Sequence, residues 1–547
     1  MSGMSQGLGA LRSLFRNENL RRVELAWGAS IAAEWAHFVA LGVFAYQAGG
    51  ATAVGIAGLV RMLPAALLAP VAASLGDRFR RERFLIAIAL VAALALGGSA
   101  LGFYLGRSVA AVFALAAVVG VATTLFRPAM QALLPSLART PEELIASNGA
   151  TSTIESLGTL IGPLGAGVLV AAADPGAVFL VAAAAFVVAA ALLAGVAIDG
   201  FIQVSGSEAP PRELLLGGFG ALAHSARPRL VVALISAQGF VRGCLNVLIV
   251  VAAFRLFATG DAAVGYMAAA LGIGGLGGAL AAMTLEGKRL GKPLGVAIAF
   301  WGIPIALIAA WPRLPVAIAM LAVVGAANSV EDVAAFTLLQ RIVPDAVLTR
   351  VLGVAWGLVM GAVAIGSAVT PAIVAAVGPR AAFVVAGATL PVLAVAVWPL
   401  LAAIDRDALA PRVELALVDQ VGIFAPLSIA AKEHVATRLI PVPVGGGDVV
   451  IRCGERGDRF YVVAEGELDV DAGGVHSTSG PGDFFGEVAL LRDVPRTATV
   501  RAITSSHLYA LERDDFLVAA TGHAAVHAAG QALVDEHLTR AVGHAAP

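Results

Sequence analysis

Apolar residues dominate the chain from Val23 to about Leu401, where stretches of about 20 apolar residues alternate with short polar breaks. A helix of about 20 apolar residues is long enough to cross the roughly 30 Å hydrocarbon core of a bilayer. The pattern therefore predicts an α-helical membrane protein with about twelve transmembrane helices. The expected spans are 23–47, 52–75, 84–105, 108–134, 145–172, 176–197, 229–257, 262–285, 293–311, 314–340, 351–376 and 380–402.

The pattern changes after about Asp405. The stretches DRFYVVAEGELDVD (458–471) and TATVRAITSSHLYALE (497–512) alternate apolar and polar residues and are separated by glycine-rich turns, which indicates short β-strands. The segments 413–439 and 514–542 on either side of them are helical in pattern. This combination predicts a small antiparallel β-barrel, of the jelly-roll kind, flanked by helices.

The longest internal break, 198–228, follows the sixth predicted span and divides the helices into two halves that resemble each other. In particular, 132–149 corresponds to 337–354, and 74–84 corresponds to 284–294. Such a repeat is typical of transporters whose substrate path lies between the halves. The predicted domains are a cytoplasmic N-terminus (1–22), an N-terminal six-helix half (23–200), a cytoplasmic linker (201–228), a C-terminal six-helix half (229–403), a short linker (404–412) and the C-terminal barrel domain (413–547).

Composition agrees with a membrane protein. Hydrophobic residues make up 59% of the chain and charged residues 13%, and the mean hydropathy is +0.88, far from the values of soluble proteins. A net charge of −1 gives no reason to expect a nucleic-acid partner. The two cysteines, Cys244 and Cys453, do not form a disulfide or metal-binding pattern, so no metal is expected. The first apolar run has no cleavage pattern and is expected to remain in the bilayer.

Basic residues predict the orientation, because short cytoplasmic loops are enriched in arginine and lysine. Clusters of them precede the first predicted span and follow the second, eighth and twelfth, whereas the alternate loops hold single charges. Both termini and the barrel domain are therefore expected in the cytoplasm, with the helices in the plasma (inner) membrane. The residues of these clusters are Arg12, Arg16, Arg21, Arg22, Arg78, Arg80, Arg81, Arg83, Lys288, Arg289, Lys292, Arg406 and Arg412.

Two motifs in the helical part carry a family resemblance. The loop LGDRFRRERF (75–84) resembles the loop motif between the second and third helices of the major facilitator superfamily, although Phe79 stands where that family usually has glycine. GTLIGPLGAG (158–167) resembles the fifth-helix motif of the family's drug–proton antiporters, and its small residues equally suit ordinary close helix packing. The resemblance covers about residues 15–405 and implies a secondary transporter, here interpreted as a proton-coupled exporter.

Ionisable residues inside predicted spans are costly and therefore indicate function. One interpretation is that Glu34, Glu155 or Glu331 changes protonation and couples transport to protons; the alternative is buried ion pairs such as Glu34 with Arg61. A lone His37 is interpreted as a hydrogen-bonded core histidine. The candidates for transport or proton coupling are Glu34, His37, Arg61, Glu155, Arg242, Glu331 and Asp332. A conformational latch on the cytoplasmic side, pairing Arg127 with Asp77, is predicted from Asp77, Arg78 and Arg127.

Three stretches of the barrel domain resemble cyclic-nucleotide-binding domains such as those of catabolite activator protein and of the regulatory subunits of cAMP-dependent protein kinase. They are GDVVIRCGERGDRFYVVAEGELDV (447–470), GPGDFFGEVALLRDVPRTATVRA (480–502) and LERDDFLVA (511–519). The resemblance covers roughly 413–535 and implies a bound cyclic nucleotide. Glu487 then accepts a hydrogen bond from the ribose 2′-hydroxyl, and Arg496 holds the cyclic phosphate. Backbone N–H groups complete the site at Gly486, Glu487, Val488 and Thr497.

The chemistry of these residues agrees with that implication. Gly486 lets the backbone approach an anion, the N–H groups at the start of EVALL face it, and the planar fork of Arg496 suits two phosphate oxygens. The alternative is that Glu487 and Arg496 pair with each other in a fold that has lost its ligand. The expected ligand is cAMP, and a hydroxyl at Thr497 leaves cGMP open.

The whole chain is therefore interpreted as a transporter of a small, lipophilic compound that a cytoplasmic cyclic nucleotide regulates allosterically. A membrane-anchored nucleotide receptor whose helices no longer transport is the alternative, and a channel is disfavoured because the sequence has no pore-loop filter. No Walker-type phosphate loop or nucleophile triad is apparent, so an enzyme is not expected. The expected partners are the substrate, protons, cyclic nucleotide and the lipid bilayer, and a homodimer is left open.

Overall fold

A computed structural model describes residues 17–76, 80–106, 108–137, 141–196, 219–257, 259–283, 289–343, 345–407, 412–424, 427 and 429–521. The chain divides into two compact units, Met1–Asp405 and Arg406–Pro547, which are treated separately below. The first unit is helical and the second contains all the described strands. The domain boundaries given above remain predictions.

Ten helices among the described residues are long and apolar enough to cross a membrane. Their apolar composition and length follow from the alternation seen in the sequence. They are α1 (Glu18–Gly76), α2 (Arg81–Tyr104), α3 (Val109–Leu137), α4 (Pro141–Ala172), α5 (Pro175–Ala194), α6 (Ala226–Arg255), α7 (Ala262–Met283), α8 (Gly291–Ala310), α9 (Leu314–Ile342) and α10 (Asp345–Asp407).

Two of these helices are broken by glycine. In α1 the backbone is non-helical at Gly49 and Gly50, and in α10 at Gly378, where φ is 81°. Glycine takes such angles without a Cβ clash, and Pro379 disfavours helical backbone in the residue before it. Each break falls between two spans that the sequence separates, 23–47 from 52–75 and 351–376 from 380–402. The count of twelve crossings stays a prediction.

Small residues on α4 bring it close to helices of both halves. A Cβ at Gly158 would lie 2.5 Å from the Cγ2 of Ile31 on α1. At the other end of the motif, a Cβ on Gly265 of α7 would lie 2.5 Å from the Cα of Gly167. GTLIGPLGAG therefore serves as a packing surface between helices, as small residues do in membranes.

The second unit begins with helices and continues as a barrel of short strands. The helices before the barrel are α11 (Arg412–Gln420), a 3₁₀ turn (Gly422–Phe424) and α12 (Ile429–Arg438). The barrel elements are β1 (Ile440–Val444), β2 (Val449–Ile451), β3 (Arg459–Glu465), β4 (Leu468–Ala472), β5 (Val475–Ser479), β6 (Phe484–Phe485), α13 (Glu487–Leu491), β7 (Thr499–Ala502) and β8 (Ser506–Glu512). Helix α14 (Arg513–Thr521) follows β8.

The strands form two four-stranded antiparallel sheets, in the orders β1-β8-β3-β6 and β2-β7-β4-β5. Alternate side chains of strand β3 point to opposite sides, and both sides are covered. Tyr461 and Val463 pack in the barrel interior, whereas Phe460 and Val462 pack against the helices. The predicted antiparallel barrel flanked by helices is confirmed.

Two aromatic contacts of β3 hold the chain before Gly486 and helix α14 against the barrel. Tyr461 of β3 stacks on Phe485 of β6 at 5.2 Å, which anchors the chain directly before Gly486. Phe460 of the same strand stacks on Phe516 of α14 at 4.7 Å. Both contacts bury large aromatic surfaces, each of which contributes strongly to stability. Strand β3 therefore holds the loop after β6 and helix α14 in fixed positions.

Candidate functional sites

The turn after β6 is built around Gly486. Its backbone is left-handed, with φ 94° and ψ −2°, which only glycine adopts without strain. A Cβ at this position would lie 2.6 Å from Nη1 of Arg496 and 3.1 Å from the carbonyl oxygen of Arg459. Glycine is thus required twice here, for its conformation and for the close approach of Arg496.

Arg496 is buried, with 3% of its surface exposed. Its Nη1 donates to the carbonyl oxygen of Gly486 at 3.0 Å. Its Nη2 donates to the carbonyl oxygen of Arg459 at 2.7 Å and to the carboxylate of Asp458 at 3.3 Å. A guanidinium has five N–H donors, so these three bonds fix the group and leave donors for a ligand oxygen.

The backbone of Arg496 is held as firmly as its side chain. Its N–H donates to the carbonyl of Glu455 at 2.8 Å, and its carbonyl accepts from the N–H of Gly454 at 2.9 Å. The preceding residue, Pro495, forms an isolated β-bridge with Arg456. The loop before β3 therefore fixes the backbone position of Arg496 in the site.

Glu487, the first residue of α13, is also buried, with 2% of its surface exposed. Val488 is half-buried and Thr497 exposed. Gly486, Glu487, Val488, Arg496 and Thr497 thus belong to one loop, closed by the bond between Arg496 and Gly486. Their roles toward a nucleotide stay predictions.

Asp458 and Gly457 are site residues that the sequence reasoning missed. The Asp458 carboxylate pairs with the buried Arg496 although 73% of its own side chain is exposed. A Cβ at Gly457 would lie 2.8 Å from the Cβ of Ala489 in α13. Burial raises the pKa of the neighbouring Tyr461 phenol, and the Asp458 carboxylate raises it further. The only signal in the sequence was an acid directly before a strand.

In the helical unit, the predicted charged residues form two pairs. Arg61 donates to Glu34 at 3.0 Å across the break in α1, which matches the ion-pair alternative. Arg127 of α3 donates to Glu155 of α4 at 2.9 Å. Glu155 is therefore the observed partner of Arg127. Asp77 and Arg78 lie outside the described residues, so the latch stays a prediction.

A network of uncharged polar groups centres on Asn328 of α9, which contacts Asp332 of the same helix. The amide nitrogen of Asn328 donates to Asp332 at 2.8 Å. The amide oxygen of Asn328 accepts from Gln238 of α6 at 3.3 Å and from the indole of Trp301 of α8 at 3.2 Å. A search for charges inside apolar spans could not find Gln238, Trp301 or Asn328, because none of them is ionisable.

Electrostatic interactions connect these groups across the two predicted halves. The carboxylates of Glu34 and Asp332 repel that of Glu155. The guanidinium groups of Arg127 and of Arg242 on α6 attract the carboxylate of Asp332. Arg242 also attracts the carboxylate of the buried Glu331. Charges from α1, α3 and α4 therefore face charges from α6 and α9. These residues form one set, called the charge cluster below: Glu34, Arg61, Arg127, Glu155, Arg242, Glu331 and Asp332.

His37 lies beside this cluster and is fully buried. Its ring lies 5.8 Å from that of Phe179. Neither ring nitrogen has a hydrogen-bond partner among the residues that the structure describes. His37 is thus buried, as the interpretation as a core histidine expects, whereas the described residues do not supply the hydrogen bonds that this interpretation includes.

Glu24 is a further buried acid, missed because it stands in the first turn of the predicted first span. One carboxylate oxygen accepts from the hydroxyls of Ser147 and Thr151 of α4, both at 2.7 Å. These bonds tie the start of α1 to α4. Since Glu24 and both hydroxyls are buried, the contact stabilises the helix pair.

The halves also meet near the break in α1. Tyr46 stacks on Phe254 of α6 with ring centroids 4.2 Å apart. Gln47 donates to Asp261, just before α7, at 3.3 Å, and burial raises the pKa of the Asp261 carboxyl. By the orientation predicted from the basic loops, this contact lies at the non-cytoplasmic end.

Two family models match the chain, one in each of its two compact units. The family model for the Major Facilitator Superfamily matches residues 25–213. The family model for the cyclic nucleotide-binding domain matches residues 441–521, which include every residue of the Gly486–Arg496 loop.

Curated relatives match the second unit. The cAMP-dependent protein kinase regulatory subunit of Dictyostelium discoideum is 38% identical over 108 residues, which are 18% of this chain and 33% of the relative. The subunit of the same name from Yarrowia lipolytica is 42% identical over 100 residues, 18% of this chain and 27% of the relative. The chain thus spans a third or less of the length of these relatives.

A solved structure matches the helical unit. A crystal structure of a mutant of the nucleoside transporter NupG superposes with a TM-score of 0.61, covering 70% of this chain and 99% of that one. At 12% identity the likeness shows the fold alone. The chain is therefore similar to the Major Facilitator Superfamily in its N-terminal part and to cyclic nucleotide-binding domains in its C-terminal part, and its helical unit has the fold of the NupG structure.

Proposed function

We propose that the protein is a secondary active transporter regulated by a cytoplasmic cyclic nucleotide, with cAMP as the preferred ligand. The observation that carries this proposal is the buried Arg496, held beside the left-handed Gly486 in a chain that also has the transporter fold. Because the nucleotide-binding region and the transporter region belong to one chain, a bound nucleotide acts on the transport cycle without a second protein.

The anion that this loop fits is a phosphate. Arg496 supplies a fixed positive charge with spare donors, and α13 begins at the same point with its first N–H groups. The buried carboxylate of Glu487 supplies an acceptor for a ribose hydroxyl next to the phosphate. The similarity to cAMP-dependent regulatory subunits favours cAMP. The hydroxyl of Thr497 leaves cGMP as a second ligand.

For the transporter, we propose proton-coupled export of a small compound. The charge cluster contains four carboxylates and three guanidinium groups, so one carboxylate is in excess within the set. A proton or a positively charged substrate group would compensate that charge, and a charge left without compensation in a membrane is costly. Glu34, Glu155 and Glu331 are the candidates for proton coupling. The apolar composition of the spans favours a partly lipophilic substrate, and the Asn328 network offers it hydrogen bonds.

The alternative is a receptor in which the helices only anchor the sensor. The Asn328 network and the charge cluster favour transport over this alternative, because polar and ionisable groups within spans are costly and commonly mark substrate or ion pathways. We further propose a location in the inner membrane with the nucleotide-binding domain in the cytoplasm, as the distribution of basic residues among the loops predicts. Neither matched family is enzymatic.

Sealed vesicles containing the full-length protein test this function. Proton movement is followed with a pH-sensitive dye inside the vesicles, under an imposed pH gradient, with and without cAMP on the side of the nucleotide-binding domain. Candidate lipophilic amines and neutral compounds are added in turn. Compound-dependent proton movement that changes with cAMP supports the proposal. Calorimetric cAMP binding without compound-dependent proton movement supports the receptor instead.

A further inference from the structure

Glu24 lacks an arginine partner, in contrast to Glu34 and Glu155. Glu34 accepts from Arg61, and Glu155 accepts from Arg127. Glu24 is 2% exposed, and none of the ion pairs in the described part of the chain includes it. A buried carboxylate without a counter-charge is costly, particularly within a membrane. A proton or a bound cation is therefore needed to neutralise Glu24.

The two oxygens of this carboxylate have different surroundings. Oε1 accepts hydrogen bonds from the hydroxyls of Ser147 and Thr151, both at 2.7 Å. These two residues lie one turn apart on α4, so that both hydroxyls are on the same side of that helix. Oε2 has no hydrogen-bond partner among the residues that the structure describes. Oε2 is thus the atom at which a neutralising group would bind.

A second buried polar atom nearby also lacks a partner. Trp27 follows Glu24 by one turn of α1 and is 2% exposed. Its Nε1 has no hydrogen-bond partner in the described part of the protein, and its ring stacks on Phe126 of α3 with centroids 6.1 Å apart. Buried polar atoms are nearly always satisfied by protein groups or by bound water. An acceptor and a donor that both lack protein partners therefore indicate a small hydrated species beside α1.

The start of α1 is held in place, which keeps Glu24 away from solvent. The side-chain amide of Asn17 donates to the carbonyl oxygen of Leu137, the last residue of α3, at 3.1 Å. Arg22 donates to the carbonyl oxygen of Gly195, directly after α5. Glu24 lies only about two turns after the start of α1, and these contacts fix that part of the helix with the carboxylate facing inward.

A proton satisfies this site less well than a cation does. On Oε2, a proton would add an O–H donor one turn from the unpartnered N–H of Trp27, which leaves two donors without a protein acceptor. On Oε1, it would displace one of the two hydroxyl donors. A cation instead interacts with Oε2 and with the lone pairs that the hydroxyl oxygens keep while they donate to Oε1. A water molecule on the cation can also accept from the indole N–H.

The ligand set favours a small monovalent cation. Carboxylate and hydroxyl oxygens suit hard cations, and the three side chains include no imidazole or thiolate for a transition metal. One carboxylate balances one positive charge, so a divalent ion would leave an excess. The helices are also close together one turn further along, where a Cβ at Gly28 would lie 3.0 Å from Cγ2 of Ile154. This close packing favours Na⁺ over the larger K⁺.

We propose that Glu24, Ser147 and Thr151 bind one Na⁺ ion between α1 and α4, with water completing its coordination. The ion holds the start of α1 against α4. The site lies about 15 Å along α1 from Glu34, and it depends neither on nucleotide binding nor on proton coupling by the charge cluster. The expectation of no metal rested on the cysteine pattern, which gives no information about oxygen ligands.

The test measures binding of radiolabelled Na⁺ to the full-length protein in lipid nanodiscs, with choline chloride keeping the ionic strength constant and protein-free nanodiscs as the background. The wild type should bind Na⁺ saturably, and K⁺ should displace it at least about tenfold less effectively than unlabelled Na⁺ does. Glu24→Gln keeps the shape and removes the charge, and it should weaken Na⁺ binding at least about tenfold. Ser147→Ala and Thr151→Val each remove one hydroxyl and should weaken binding about three- to tenfold.

Ser99→Ala is the matched control for loss of a buried hydroxyl. Ser99 is fully buried on α2, and its hydroxyl donates to the carbonyl oxygen of Ala95 at 2.9 Å. This variant should bind Na⁺ as the wild type does. Thermal unfolding in NaCl and in choline chloride is the second readout and shows whether each variant is folded. Na⁺ should raise the unfolding temperature of the wild type and of Ser99→Ala but not that of Glu24→Gln, because a ligand stabilises the state that binds it.

A wild-type protein without saturable Na⁺ binding would overturn the proposal. Unchanged binding in Glu24→Gln would overturn it as well, since the ion would then lie elsewhere, and equal displacement by K⁺ would overturn the assignment to Na⁺. If a proton neutralises Glu24 instead, Glu24→Gln should equal the wild type in stability, and neither should respond to Na⁺. If Glu24→Gln does not fold, Ser147→Ala and Thr151→Val decide the question, and wild-type binding in both would contradict the proposed site.

Discussion

The guanidinium of Arg496 donates to the carbonyl oxygen of Gly486 at 3.0 Å, across ten residues of the chain. This bond closes the loop around α13, so that the charged group and the first N–H groups of the helix are held together. An anion placed there meets a site that is already ordered. Preorganisation of this kind reduces the entropy that binding must overcome.

Arg496→Ala should weaken cAMP binding to the full-length protein by at least about thirtyfold. Removing one partner of a buried charged contact costs about 2–5 kcal/mol, and 1.4 kcal/mol corresponds to a factor of ten. Calorimetry measures the change, with Arg501→Ala as the control for loss of an arginine on the same domain. Affinity within threefold of the wild type would mean that Arg496 does not hold the phosphate.

Gly486→Ala should weaken cAMP binding for a different reason. The added methyl group would lie 2.6 Å from Nη1 of Arg496 and would displace it. Gly447→Ala is the matched control, because Gly447 has the same φ of 94° but nothing within 4 Å of an added Cβ. Both variants bear the strain of alanine at positive φ, about 1–3 kcal/mol. Equal cAMP affinities for the two variants would show that strain alone matters.

Glu34→Gln, Glu155→Gln and Glu331→Gln test proton coupling one residue at a time. If a carboxylate of the charge cluster carries the proton, at least one variant should lose proton-driven transport while remaining folded, since glutamine keeps the shape but cannot titrate. Glu18→Gln is the control, because Glu18 is 62% exposed and pairs with Arg22. Intact coupling in all three variants would leave these carboxylates as structural partners of the arginines.

Much of the architecture follows from local patterns. Apolar length predicts the helices, alternation predicts β3 and β8, and the Gly486-to-Arg496 spacing predicts the loop that the structure closes. Even the breaks at Gly49 and Gly378 fall where the sequence separates spans. These features depend on residues that are neighbours in the chain.

The remaining contacts depend on distances that only the fold creates. Asp458 reaches Arg496 because β3 and the loop after β6 lie side by side, and Arg127 meets Glu155 because α3 and α4 both pack against α1. Asn328 joins three helices through uncharged groups, which a search for intramembrane charge passes over. Glu24 was missed because a charge at a helix end is ordinarily in contact with solvent.

The central claim is that the nucleotide and the transport cycle act on each other, and cAMP affinity in two locked conformations tests it. Cross-linking Gln47→Cys to Asp261→Cys holds the halves together at the contact seen here, with Cys453→Ser removing the exposed native thiol. Gly265→Trp should force the same end open, since even a Cβ there would lie 2.5 Å from the Cα of Gly167. Singly substituted Gln47→Cys, treated with the cross-linker, is the control.

By linkage, a nucleotide that biases the cycle must bind the two conformations with different affinities, and couplings of ordinary size correspond to factors of about 5–150. We therefore expect the cAMP dissociation constants of the cross-linked protein and of the Gly265→Trp variant to differ by at least about fivefold. Dissociation constants that agree within twofold would contradict regulation of the transport cycle by the nucleotide.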